Sequence, residues 1–523
     1  MKYKEYQLTL QHILWRVEKL FFDSEIISRI SEYSIKRYTY RDFAVRVRKI
    51  AKFLSSLNLS IGDKIGTIEW NTSRHLEIYM ASTILGYVLH TINVKFAPNE
   101  MEYVINHAED KVLFVNSEFE NIIKNIKLIN IKNILYISDE FDKIINEYPT
   151  IDSLPDLDEN QPAIICYTSG TTGKPKGIVY THRTVFLHSL TLLAKDVIGI
   201  SRNDSVLVIV PMFHINGWDL PFSSLMTGAK IVLPGPRPKP KDIAELIEKE
   251  RVTIAAAAPT IWIDFLNYIE KENYDISSLK IIITGGAEPP RSIPEKFKKY
   301  GVKVYHAWGM TETEAIASVN QTENLNQISK QGIPLPGIEI KVVSIDDGKE
   351  LPWDGESVGE LWISGAWVAK EYYKEEEKSK EVFIIEGNKV WLRTGDIVTI
   401  DEKGNIKVVD RLKDLIKSGG EWISSIDLEN SIMSYYKVHE AAVIGIKDER
   451  WSERPVALVV PKSEYKNNIT QNEILEYLIS LNKFPKWWLP DKIIFVEELP
   501  KTSTGKLDKK LIREKFSKNY ISK

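Results

Sequence analysis

Compact apolar runs and helical stretches alternate along most of the chain. Arg41 to Leu57 carries apolar residues at helical spacing, whereas Lys64 to Glu69 and Lys111 to Val115 are buried-strand runs. The middle repeats the rhythm: Ser205 to Val210, Lys230 to Leu233, Thr253 to Ala257 and Lys280 to Thr284 are apolar, with helical stretches such as Lys241 to Glu250 between them. Alternation of this kind predicts an α/β fold, with parallel sheets wound on both faces by helices. From Gly337 to Asp410 the texture changes to short strands broken by Asp346-Asp-Gly348 and Lys403-Gly-Asn405, as in a small antiparallel barrel or sheet. Beyond Arg411 the pattern is that of a compact α+β unit.

With 523 residues, 43% hydrophobic and 27% charged, the chain is long enough for several cores and ordinary in composition. A net charge of -3 predicts neither a nucleic-acid nor an anionic-membrane surface. The single cysteine, Cys166, excludes a disulfide framework and a cysteine zinc site. Met1-Lys-Tyr-Lys-Glu5 lacks the apolar core of a signal peptide, and charges interrupt every apolar run before it could span a bilayer. The expectation is a cytoplasmic enzyme of small molecules; a homo-oligomer is compatible with the chain.

The densest chemistry is Tyr167-Thr-Ser-Gly-Thr-Thr-Gly-Lys-Pro-Lys-Gly177, set between the apolar runs Ala163 to Cys166 and Ile178 to Tyr180. Glycines let a loop turn its N–H groups inward, and Thr168, Ser169, Thr171 and Thr172 add hydroxyls. Strand, loop, strand gives a donor-rich concavity with lysines at its rim, suited to phosphate oxygens. It is not a P-loop: only Thr171 and Thr172 separate Gly170 from Gly173, and Pro175 stands where that motif needs Ser or Thr. The loop resembles the signature of the adenylate-forming superfamily, which comprises acyl-CoA synthetases, luciferases and the adenylation domains of peptide synthetases.

Four further segments carry the same resemblance in the expected order. Ile281-Ile-Ile-Thr-Gly-Gly-Ala-Glu-Pro-Pro290 ends a buried strand in a Gly-Gly turn, and the resemblance lays Gly286, Ala287 and Glu288 against adenine. Tyr305-His-Ala-Trp-Gly-Met-Thr-Glu312 is similar to the family's aromatic-Gly-x-Thr-Glu element. It implies that His306 and Trp308 lie at the nucleotide, Thr311 at the α-phosphate and Glu312 on Mg²⁺; Glu314 reads as a solvated helix start. Arg393-Thr-Gly-Asp396 and Asp410-Arg-Leu-Lys-Asp414 imply ribose contacts for Asp396 and Arg411 and a hinge at Lys413. Leu499-Pro-Lys-Thr-Ser-Thr-Gly-Lys-Leu507 matches the catalytic-lysine motif at Lys506. Thr168, Ser169, Gly170, Thr171, Thr172 and Lys176 would hold phosphate.

The resemblance implies a large domain of residues 1–410, with two doubly wound sheets and a small β-barrel, and a mobile α+β lid of residues 411–523. ATP, Mg²⁺, coenzyme A and a small carboxylic acid would be its ligands. Lid rotation would exchange the Lys506 face for Lys417-Ser-Gly-Gly-Glu-Trp-Ile423, where Gly419 and Gly420 admit the pantetheine arm. Ser418 to Ser425, Leu89 to Val94 and Tyr103 to Asp110 look like medium-chain fatty-acyl-CoA synthetases and their short-chain thioalkyl and hydroxy-acid relatives. In that group the acyl chain would meet Phe213, His214, Gly217, Trp218, Gly285 and Trp422, with a structural core role the alternative for His214. The expected activity is ligation of a short- or medium-chain aliphatic acid to CoA through an acyl-adenylate. Alternatives are a hydroxy acid of the 3-hydroxypropionate or 4-hydroxybutyrate type, an aromatic acid, or a non-catalytic nucleotide-binding regulator.

Overall fold

The computed structural model describes residues 5–31, 34–168, 174–325, 327–419, 421–501 and 507–520. Helical spacing in the sequence becomes helix Tyr40–Ser55, whose Thr39 accepts the Asp42 N–H while Asp42 caps the Thr39 N–H, a capping box. Its Phe43, Val47, Ile50 and Leu54 are buried, so one apolar stripe fixes the packed face. The apolar runs become strands. Six of them, Glu25–Ser31, Lys230–Leu233, Ser205–Val208, Ile254–Ala257, Ile281–Gly285 and Lys303–Trp308, lie parallel in that spatial order. Antiparallel edges, Ser34–Thr39 at one side and Ser318–Asn320 with Ile333–Pro334 at the other, complete a nine-stranded sheet. Against one face packs an aromatic cluster in which Trp262 meets Phe297 edge-on at 5.6 Å.

A second sheet has the order Asn133–Ile137, Asp110–Asn116, Lys64–Ile68, Val88–Thr91, Pro162–Tyr167, Gly177–Thr181. The chain runs from Lys64–Ile68 to a neighbour on one side and then to Asp110–Asn116 on the other, so the strand order reverses there. Only the last pair, Pro162–Tyr167 with Gly177–Thr181, is antiparallel, which is the strand, loop, strand reading of the glycine-rich segment. A third sheet joins Ile338–Val343, Gly359–Gly365, Lys389–Ile400 and Phe383–Glu386, with Ile406–Arg411 also beside Lys389–Ile400.

The last sheet has the order Glu421–Ile423, Ile416–Ser418, Ser452–Pro461, Val438–Asp448, with Lys492–Phe495 parallel to Ser452–Pro461. Apolar clusters cover its two faces, one centred on Leu428, Ile432 and Leu478, the other on Leu458, Leu499 and Ile512. The chain divides into two compact units. The first comprises Met1–Thr168, Pro175–Glu339 and Ser364–Leu392; the second includes Ile340–Ile363 and Arg393–Lys523. Among the described residues no helix is long and apolar enough to cross a membrane.

Candidate functional site

In the first unit, the expected nucleotide residues sit at and beyond the carboxyl ends of neighbouring strands. Strand Ile281–Gly285 pairs with Lys303–Trp308, with Gly285 opposite Ala307. Gly286 follows at φ +85°, a left-handed value that suits glycine, and the exposed turn continues through Ala287 to the half-buried Glu288. One strand further, Trp308 leads into the short 3-10 turn Thr311–Thr313. His306, expected at the nucleotide, is buried with Nδ1 3.1 Å from the carbonyls of both Ile328 and Lys330.

Two tyrosines that sequence reasoning missed fix that turn. The Tyr180 hydroxyl donates to the Thr311 carbonyl and accepts the Glu314 N–H at 2.9 Å. The Tyr372 hydroxyl donates to Glu312 Oε1 at 2.9 Å, and the Ala369 N–H donates to the Glu312 carbonyl at 2.8 Å. Burial and the neighbouring Glu312 carboxylate push the Tyr372 hydroxyl above the usual tyrosine range, so it stays a donor. Tyr372 also lies beneath Lys176, whose Nζ is 4.5 Å from the ring centroid. At the base of the glycine-rich loop, the Thr168 N–H donates to the Lys176 carbonyl at 3.0 Å, and the Lys176 N–H donates to Thr168 Oγ1 at 3.1 Å. One structural chain of contacts therefore runs from Lys176 through Tyr372 to Glu312.

The expected acyl residues fall into different surroundings. A Cβ placed on Gly285 would lie 2.6 Å from the Ala307 carbonyl and 3.1 Å from the Trp218 indole, so the strand end and that ring close on one another. Phe213 instead joins the core of the second sheet, edge-on to Trp70 at 6.1 Å. His214 is half-buried and opens a turn in which Ile215, Asn216, Gly217, Trp218 and Asp219 all have positive φ, from 35° to 63°. Each non-glycine residue in that region costs on the order of 1–2 kcal/mol, so the surroundings must hold the turn. Asn216 Oδ1 accepts the Thr91 hydroxyl at 3.3 Å, and Asp219 Oδ2 lies 2.8 Å from His188 Nδ1.

Glu314 corrects the sequence reading. It is fully buried at φ 52° rather than solvated at a helix start, because the 3-10 turn ends there and folds its side chain toward Asp219 and Thr184. Burial first, and then the Asp219 charge, raise the Glu314 carboxyl well above the usual range. A cavity of 340 Å³ lies elsewhere, at the strand-order reversal of the second sheet. It is lined by Glu69, Trp70, Asn116, Asp139 and Arg237 among others and contains none of the expected site residues. Burial pushes Glu69 up to about 7 there, against hydrogen bonds from Asn116, the Trp70 N–H and Thr72.

In the second unit, Asp396 and Arg411 face each other across a strand pair, Arg411 Nε 2.5 Å from Asp396 Oδ1. Asp396 is buried and Arg411 half-exposed. Lys413, two residues on, is exposed, and desolvation by the neighbouring chain, with the Arg411 and Arg513 charges, lowers its ammonium below the usual lysine range. Gly419 has φ +62° and donates to the Trp451 carbonyl at 2.8 Å; a Cβ there would come within 2.9 Å of the Trp451 ring. Trp422 pairs with Lys417 across a two-stranded ladder, with the ammonium 5.0 Å from its ring centroid. Ser169, Gly170, Thr171, Thr172, Gly420 and Lys506 lie outside the described residues.

Two doubly wound sheets followed by a small α+β unit are the fold of adenylate-forming enzymes. The structure matches that of an anthranilate CoA ligase in complex with anthranoyl-AMP with a TM-score of 0.88, at 26% identity over 98% of both chains. The model of the AMP-binding enzyme family matches residues 21–373, and that of the AMP-binding enzyme C-terminal domain residues 427–506. The chain belongs to this family. It is 38% identical to a long-chain-fatty-acid–CoA ligase of Thermus thermophilus, covering 98% of this chain and 96% of the relative. It is 37% identical, over the same shares, to a medium-chain-fatty-acid–CoA ligase of Ectopseudomonas oleovorans. The protein is an AMP-forming acid–CoA ligase.

Proposed function

We propose that the acid is a short- or medium-chain aliphatic carboxylate. Such an acid is ionised at neutral pH and needs no general base. Its oxygen attacks the α-phosphorus of ATP, the new P–O bond forms, and the bond to pyrophosphate breaks. The thiol of coenzyme A then attacks the acyl carbon; the C–S bond forms, the thiol proton is lost to solvent, and AMP leaves with the C–O electrons. Lys506, Thr311 and the donors of residues 168–172 spread charge at phosphorus. Asp396 and Arg411 take the ribose, Gly286, Ala287, Glu288 and Trp308 the adenine, and Gly419 and Gly420 the pantetheine arm.

Glu312 is the residue that would hold Mg²⁺. A single carboxylate, completed by phosphate oxygens and water, suits that hard cation, and among the described residues no cluster of three or more His, Cys, Asp or Glu forms an all-protein cage. The ion would supply charge neutralisation at the phosphates. Tyr372 presents the carboxylate by donating to one of its oxygens.

The observation that carries the chain-length reading is the close approach of the Trp218 indole to Gly285. An acyl chain running beside that ring would have little room to extend; the medium-chain relative supports the same range, and the long-chain relative of similar identity makes its upper limit the point to test. AMP release that depends on both acid and CoA, measured from acetate to hexadecanoate and with hydroxylated and aromatic acids, tests it. The expected optimum lies at dodecanoate or below. An optimum at hexadecanoate, a hydroxy acid or an aromatic acid overturns the assignment.

A further inference from the structure

Around Lys413, within the second unit, the charged contacts form a pattern that the hinge reading alone does not require. Asp410 and Asp414 flank Lys413 and are both buried. Asp414 belongs to the turn that follows, its N–H donating to the Arg411 carbonyl at 2.8 Å, and its Oδ1 lies 2.8 Å from Arg513 Nη1. Asp410 is fully enclosed. Its Oδ2 accepts both the N–H and the hydroxyl of Ser425 at 2.6 Å, and its Oδ1 accepts the Arg411 N–H at 2.7 Å. Lys509 completes the cluster by donating to Ser425 Oγ at 2.6 Å and pairing with Glu429 Oε1 at 2.7 Å. Glu429 in turn accepts the Val443 N–H at 2.7 Å.

Lys509 and Arg513 are four residues apart on helix Lys509–Tyr520, one above the other on a single face about 6 Å apart. Their acidic neighbours are four apart as well, but on opposite sides of Lys413. Ser425, Glu429, Lys509, Arg513 and Asp414 all follow Lys413 in the chain; Asp410 precedes it, as does Val409, whose carbonyl accepts the Ser424 hydroxyl at 2.6 Å. A change in the Lys413 backbone dihedrals therefore leaves Asp414 on Arg513 and carries Asp410 away from Ser425 and Lys509.

We propose that Asp410 is a positioning residue whose docking on Ser425 and Lys509 crosses the hinge and holds one of the two lid arrangements, so that its release is part of each catalytic cycle. The inference rests on the ligase reading above and on Lys413 as the hinge. Hydrogen bonds to a charged group are strong enough to bias such an equilibrium yet weak enough to break once per turnover. Asp414 with Arg513 is the fixed end that keeps helix Lys509–Tyr520 in register with the turn.

The two half-reactions separate the outcomes. Acid-dependent pyrophosphate exchange reads adenylation, and CoA-dependent consumption of supplied acyl-adenylate reads thioester formation. Asp410→Asn should change the ratio of the two rates by about tenfold, the worth of one charge-assisted hydrogen bond. Ser425→Ala should move the ratio in the same sense, and the double variant no further than the larger single change, because both remove one contact. Arg513→Lys should lower the melting temperature without moving the ratio. If Asp410→Asn and Ser425→Ala slow both half-reactions equally, or neither, the docking is merely structural and the proposal fails. Absence of pyrophosphate exchange in the wild-type enzyme with every acid would instead overturn the ligase reading itself.

Discussion

The turn Thr311–Glu314 and the segment Asp410–Asp414 are both short, polar and built around carboxylates, yet they are held differently. The first is fixed by neutral donors on rigid strands and loops: Tyr180 on its backbone, Tyr372 on Glu312 and the Ala369 N–H on the Glu312 carbonyl. The second is held largely by charge: Arg411 on Asp396, Lys509 among Asp410, Ser425 and Glu429, and Arg513 on Asp414. Short neutral hydrogen bonds demand one geometry and weaken steeply away from it. Ion pairs tolerate a wider range of separations, and water can take over either partner when they part. The first construction suits a turn proposed to meet a phosphate the same way each time, and the second suits a segment proposed to change.

The largest effect should come from Lys506, the charge expected to serve only one of the two steps. Lys506→Ala should lower acid-dependent pyrophosphate exchange by ~10²–10³ while supplied acyl-adenylate is still converted to the thioester. Equal loss in both steps would erase the distinction between a fixed site and an exchanging one. Lys413→Pro should do the reverse, sparing adenylation and slowing thioester formation by an order of magnitude or more, because proline fixes the φ that must change. Normal thioester formation in that variant would put the hinge elsewhere.

The same contrast explains how much was legible beforehand. Strands such as Lys230–Leu233 and Ile281–Gly285 were readable because a buried parallel strand is a continuous apolar run. The glycine-rich loop and the order of the motifs gave the family, since so specific a run of residues seldom recurs by chance. The surroundings were not readable. Tyr180 directly follows the apolar pair Ile178-Val179 beyond the loop and looks like any strand tyrosine; its partner is 131 residues away. Glu314 looks like a surface acid until the turn closes on it. A left-handed run through Ile215 contradicts the local preference of a β-branched residue, and only tertiary contacts impose it.

Tyr180→Phe tests the fixed construction directly. It leaves the buried Thr311 carbonyl and Glu314 N–H without their shared hydroxyl, a loss of about 1–3 kcal/mol. Pyrophosphate exchange should fall about tenfold and the melting temperature should drop, with the KM for CoA unchanged. An active variant with wild-type exchange would mean that the turn is held by its other contacts and that the contrast with the hinge is overstated.

Holding a region with neutral groups has a signature in pH, and it gives the smallest of these effects. His75 is fully buried in the first unit, Nδ1 donating to the Trp70 carbonyl at 3.0 Å and Nε2 2.9 Å from the Thr67 hydroxyl. Burial lowers its pKa from 6.5 to about 3. Between those values the unfolded chain binds a proton that the folded chain refuses, so the contribution of His75 is fully present above 6.5 and is lost as pH falls toward 3. His182, lowered to about 4 by burial, acts in the same direction. Glu69 and Glu429, each raised to about 7 by burial, act in the opposite direction: above 4.5 the folded form holds the extra proton, and stability rises as pH falls from 7. The opposing groups flatten the wild-type profile between about 6.5 and 4.5, so the informative quantity is a difference. His75→Gln keeps a hydrogen-bonding amide but cannot titrate. Relative to wild type it should gain about 1.4 kcal/mol per pH unit in urea unfolding as pH falls from 6 to 4. Parallel profiles for the two proteins would mean that His75 takes up its proton in the folded state.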